Sequence, residues 1–74
     1  LKTRVDLAHP TDPRIYAVVF AQDDINGPWV WKIAVKKLRR GKPTTVVVAA
    51  GFRQPSCDDA IANAQARMLK TAVF

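Results

Sequence analysis

The sequence predicts an α+β fold. Its body is a three-stranded antiparallel β-meander packed against one C-terminal α-helix, and the N-terminal segment is able to add a short extra strand. Three observations lead there. Residues 29–39 alternate, with Trp29, Trp31, Ile33 and Val35 on one side and Val30, Lys32, Ala34 and Lys36 on the other. That period-two pattern marks an antiparallel strand with one buried and one wet face. The runs before and after it are rich in β-branched and aromatic residues, and turn-forming clusters separate all three. After Ser56 the apolar spacing becomes helical, through Cys57, Ala60, Ile61, Ala64, Met68 and Ala72.

The elements follow in order. Residues 1–13 form an arm or a short edge strand, in which Val5 and Leu7 share a face. The cluster His9-Pro10-Thr11-Asp12-Pro13 ends it, because two prolines deny hydrogen bonds to helix and sheet alike. Residues 14–74 make up the single β-β-β-α domain. Arg14–Ala21 is its first strand. Asp23-Asp24-Ile25-Asn26-Gly27-Pro28 is turn chemistry, with Asx side chains and a glycine tolerant of positive φ. Trp29–Arg39 is the second strand, and Arg40-Gly41-Lys42-Pro43 a tight connection with Gly41 in the left-handed region.

Thr44–Phe52 is the third strand, apolar on both faces through Val46, Val47, Val48, Ala49 and Ala50. A strand of that composition is expected at the centre of a sheet or covered on both sides, as at an oligomer interface. Ser56 caps the helix, with Asp59 in the capping-box position and Asp58 beside the positive helix end. The apolar stripe is mostly alanine, which lets the helix lie close to a sheet.

Composition bounds the function. A chain of 74 residues is one domain with one core. At this size only about 60% of the unfolded surface is buried, so oligomerisation is an open route to extra stability. One Cys cannot form an internal disulfide, and one Cys with one His cannot build a zinc site of four ligands. No apolar run reaches the ~20 residues of a membrane-spanning helix, so no membrane partner is expected and the expected location is cytoplasmic. The chain opens on Leu1, which points to trimming from a longer protein and leaves room for a signal removed before this point.

The charge is uneven. Twelve basic and six acidic residues, all of the latter Asp, give a net +6. Residues 1–24 carry net −1 and residues 58–74 net zero, whereas residues 25–57 carry seven basic groups and no acid. Those seven are Lys32, Lys36, Lys37, Arg39, Arg40, Lys42 and Arg53. On a strand and its turn they are suited to neutralise the phosphate backbone of DNA or RNA, releasing counterions for sequence-independent affinity. The plainer reading is a solvated outer face whose charge protects an edge from aggregation. The absence of interleaved acid raises the functional reading to stand level with the plainer one.

Other features read as structural. Trp29 and Trp31 align with Ile33 and Val35 and belong to the core; an aromatic on the wet face would come from Tyr16 or Phe20 instead. Cys57 at a helix start is flanked by Asp58 and Asp59, which oppose a thiolate. His9 reads as an exposed loop residue. Asp23, Asp24 and Asn26 lack calcium-loop spacing. With no phosphate-binding glycine pattern and no acid–base pair, the chain is expected to be non-enzymatic, without cofactor or metal.

Residues 28–68 carry a partial resemblance. Pro28-Trp29, Trp31 through Lys36, Gly41-Lys42, Gly51-Phe52 and Asp58-Asp59-Ala60 leading into an alanine-rich helix are similar to the three-strand-plus-helix DNA-binding domains. These are the plant APETALA/ethylene-response-factor type and the amino-terminal domains of some integrases. The resemblance implies a sheet that enters the major groove, with Lys36 in place of a second-strand arginine and Trp29 as the Pro-Trp aromatic. Ala34 departs from an acidic position, the third strand is apolar where that family shows Arg and Trp, and the link from Phe52 to the helix is about two residues longer. The expectation is a small basic module that binds nucleic acid mainly through phosphate. The rival is a protein-interaction or self-assembly domain, paired with itself or another protein through the apolar third strand or a sheet edge.

Overall fold

The structure is a computed structural model that describes residues 3–22 and 27–71. Five elements follow one another: β1 (Arg4–Ala8), β2 (Ile15–Ala21), β3 (Trp29–Arg39), β4 (Lys42–Gln54) and α1 (Cys57–Leu69). The four strands form one antiparallel sheet in the order β1-β2-β3-β4. The N-terminal segment is therefore a full strand of the meander. Val5 and Leu7 on β1 pack against the core, as their shared face requires. The turn expected at Asp23–Asn26, and Ala72 of the helical stripe, lie outside the described residues.

The β1–β2 connection is tied by side chains. His9 Nδ1 accepts the backbone N–H groups of Thr11 and Asp12, so His9 is a half-buried turn brace and not the exposed loop residue expected. Arg14 donates from both its backbone N–H and its guanidinium to the Asp12 carboxylate, at 2.9 Å for each of the two closest contacts. That guanidinium, and then the Arg14 backbone N–H, holds the Asp12 carboxyl below the usual carboxylate range.

α1 covers one face of the sheet. Ser56 caps it: its Oγ accepts from Asp59 N–H and donates to the Asp59 carboxylate. Ala60, Ala64 and Met68 recur at helical spacing and are buried against Ile15, Ala17, Val19, Ile33 and Val35. The two alanines let the helix axis approach the strands closely. Trp29 is also buried on this face, and Trp31 is half-buried beside it, its indole lying on Gly51. Any Cβ at position 51 would overlap that ring, which is why a glycine stands there. The Trp31 Nε1 is buried without a hydrogen-bond partner among the described residues.

One expectation is overturned. β4 is an edge strand, paired only with β3 among the described residues, and not a central or doubly covered one. The reason is connectivity: a two-residue turn makes β4 the neighbour of β3, and the chain then leaves the sheet for α1. The ladder between β3 and β4 is irregular at two places, Trp29/Trp31 and Ile33/Ala34, each accommodating one extra residue on β4. Such bulges bend and twist the strand. Arg53, at the first of them, has φ 57. No helix among the described residues is long and apolar enough to cross a membrane.

Candidate nucleic-acid interface

Strand alternation decides what the uncovered face carries. β2 turns Ile15, Ala17 and Val19 to the helix and therefore Tyr16, Val18 and Phe20 the other way. β3 does the same with Lys32, Ala34 and Lys36, and cross-strand pairing sets Tyr16 opposite Ala34, Val18 opposite Lys32, and Phe20 opposite Val30. Each aromatic ring thus has a lysine on the diagonal. Lys32 Nζ lies 5.7 Å from the centre of the Phe20 ring, and Lys36 Nζ lies 5.6 Å from that of Tyr16. Both distances are within cation–π range. The wet-face aromatics anticipated from alternation, Tyr16 and Phe20, are the ones present.

Around these pairs the face is a shallow apolar depression of about 450 Å³, floored by Val18, Ala34 and Val47 with Lys32 and Arg4 on its margin. Arg4 was not among the residues singled out in the sequence. It faces this side because it pairs with Phe20 across β1 and β2, and it is held by Asp6 at 3.1 Å, with both side chains largely exposed. The parity of Arg4 with Asp6 along β1 was the available signal.

The other cations lie on an arm. β2 ends its pairing where Ile15 meets Val35, and the last link is Lys36 N–H to Arg14 C=O. Beyond it, β3 and β4 continue as a two-stranded ribbon, pairing Lys37 with Thr44, Leu38 with Pro43 and Arg39 with Lys42. Arg40 and Gly41 close the ribbon with φ 54 and 76, both in the left-handed region, which suits the right-handed twist of the flanking strands. Gly41 takes that geometry freely, whereas for Arg40 it costs about 1 kcal/mol. The molecule is 41 Å long and only 21 and 19 Å across.

The seven cations of the sequence therefore divide. Lys32 and Lys36 stand on the open face; Lys37, Arg39, Arg40 and Lys42 stand on the arm that extends it. Alternation sets Lys37, Arg39 and Lys42 toward the helix side of the ribbon, and Leu38 with Pro43 toward the open-face side. Arg53 stands apart from the arm, eleven positions along β4 from Lys42, or about 36 Å of regular strand at ~3.3 Å per residue, and lies three positions beyond Ala50, the partner of Lys32. The two ion pairs among the described residues, Arg4–Asp6 and Arg14–Asp12, use none of the seven. No cluster of three or more His, Cys, Asp or Glu able to hold a metal occurs among the described residues. Cys57 is half-buried at the start of α1, against the core.

No protein-family model matches the chain, and no curated protein or solved structure matches it either.

Proposed function

We propose that the chain is a nucleic-acid-binding module whose contact surface is the open face of the sheet together with the β3–β4 arm. One observation carries this reading: the face left bare by α1 bears two lysine–aromatic pairs, and the arm beyond it adds four further cations and no acid. Lys37, Arg39 and Lys42 stand on the helix side of the ribbon, so a ligand following them wraps the arm. Lys32, Lys36, Lys37, Arg39, Arg40 and Lys42 neutralise phosphates, with Arg4 an additional contact on the same face. Tyr16 and Phe20 offer rings on which unpaired bases stack, so a single strand is the expected tighter ligand. Few side chains here suit bidentate base reading, so sequence preference is modest. The sheet surface is also the one that the three-strand-plus-helix DNA-binding domains use, which agrees with this reading.

The test is the salt dependence of binding to a labelled oligonucleotide, single-stranded and duplex. Neutralising Lys36, Arg39 and Arg40 together is expected to lower the slope of log K against log salt by about 2–3. Tyr16→Ala is expected to weaken the single strand and leave the duplex nearly unchanged. Binding that is insensitive to salt, or a slope unmoved by the triple substitution, overturns the proposal.

A further inference from the structure

The free side of β4 and the flank of α1 enclose a groove on the opposite side of the sheet from the open face. Midway along α1 Asn63 Nδ2 donates to Gln54 Oε1, and the end of the helix sets Arg67 of the last turn and the C-cap residue Lys70 into the same groove as Val48. The groove measures about 530 Å³, with Trp31 and Ala49 on its floor and Ala66 on its wall.

Three features together describe an occupant. The first is a strand edge with no neighbour among the described residues beyond β4, so backbone N–H and C=O groups there lack sheet partners, in short stretches set off by the two bulges of β4. Water can satisfy such groups, but among ligands an extended polypeptide matches them with a ladder of its own. The second is a floor formed by the Trp31 indole and by Val48, Ala49 and Ala50, which accepts modest apolar side chains from an added strand. The third is charge: Arg67 and Lys70 are the charged residues lining the groove, with no acid beside them.

We propose that this groove binds an extended acidic polypeptide segment, which joins the sheet as a fifth strand antiparallel to β4 and sets carboxylates against Arg67 and Lys70. Antiparallel addition is the more stable pairing. A strand added in that sense runs alongside α1 in the same direction, so its acidic residues belong in its C-terminal half. A second copy of this chain is the poorer fit. Residues 25–57 contain no acid, so a partner β4 brings no carboxylate to Arg67 and Lys70 and adds Lys42 and Arg53 to an already basic surface. The proposal uses none of the open-face or arm residues, so it stands or falls apart from the nucleic-acid reading.

The probe is a synthetic eight-residue peptide of alternating valine and threonine with two aspartates in its C-terminal half, compared with the same peptide carrying lysines there. Binding is followed by calorimetry and by amide shifts of the labelled protein. The aspartate peptide is expected to bind about tenfold more tightly than the lysine peptide, as two partly exposed ion pairs allow. The amides of residues 48–54 are expected to shift. Arg67→Glu with Lys70→Glu, checked for retained helix content, is expected to reverse the preference. Equal binding of both peptides, binding of neither, or shifts confined to the open face overturns the proposal. So does a dimer in sedimentation whose β4 amides are already protected, because a second copy then holds the edge.

Discussion

At one edge of the sheet, β1 is five residues long and presents Arg4 and Asp6 between half-buried Val5 and Leu7. At the other, β4 runs thirteen residues and exposes Val46, Val47 and Val48 at 40%, 55% and 43%. A short strand with alternating charge is how soluble proteins close an edge against unwanted pairing. β4 lacks that protection over its middle: Thr44 to Phe52 contains no charged residue. What β4 has instead is a proline at Pro43, cations at its ends and two bulges, which limit the length of regular edge on offer. The difference teaches that the two edges have separate duties. β1 completes the core, while β4 holds the arm out from the sheet at one end and borders the α1 groove at the other.

Substitutions test how far that contrast goes, and the strongest acts on what anchors β4. Trp31→Ala removes the ring that lies on Gly51 and is expected to cost about 3 kcal/mol, near the lower end for a tryptophan because the side chain is only half-buried. Urea unfolding measures it, and a loss below about 1 kcal/mol would mean that β4 is held by its ladder alone. A β1 counterpart, Val5→Ala, is expected to cost less than half as much.

At the arm, Arg40→Gly relieves the left-handed backbone and is expected to raise stability by up to about 1 kcal/mol while weakening oligonucleotide binding. Thermal denaturation and a binding titration on the same variant separate the two effects. Unchanged binding would remove the tip from the contact surface.

Exchanging the character of the edges should move solubility more than stability. Val47→Lys places a charge on β4, and Arg4→Val with Asp6→Val removes the charges from β1. Both changes are expected to lie within about 0.5 kcal/mol of the parent in stability, as surface substitutions do. Light scattering at high concentration should show less association for the first variant and more for the second. The opposite ranking would show that β4 is already covered in solution.

The smallest effect belongs to the β1–β2 turn. The Asp12 carboxyl is held below its ordinary range by Arg14, so its contribution to stability is present at neutral pH and disappears as the pH falls through that lowered range. Asp12→Asn is therefore expected to melt slightly lower than the parent at pH 7 and to converge with it in acid.

Much of this was legible residue by residue. The strand bounds of β3, the cap at Ser56 with Asp59, the stripe of Ala60, Ala64 and Met68, and the left-handed Gly41 are each decided by neighbours within about four positions. The face carrying Lys32 and Lys36 followed from the same alternation, and so did the aromatics beside it. Arg4 was missed because β1 is too short for its period to stand out. Arg53 shares the acid-free stretch with the other cations, and the length of β4, which sets it at the opposite end from the arm, is visible only in the fold.

By itself, then, the amino-acid order determined the element types, the core stripe of α1, the core-side residues Trp29, Ile33 and Val35 of β3 and the acid-free stretch of cationic charge, because those depend on local periodicity, capping and composition. The burial of Val30 and Ala34 on the other side of β3 did not follow from it. Which strand took which edge was decided only in three dimensions. So was how far the β3–β4 ribbon outruns β2, and where α1 leaves a groove beside β4. Those features depend on pairing between distant residues, on the unequal lengths of paired strands and on bulges such as that at Ile33/Ala34. A one-residue slip in any of them would move side chains to the other face without altering a single local pattern.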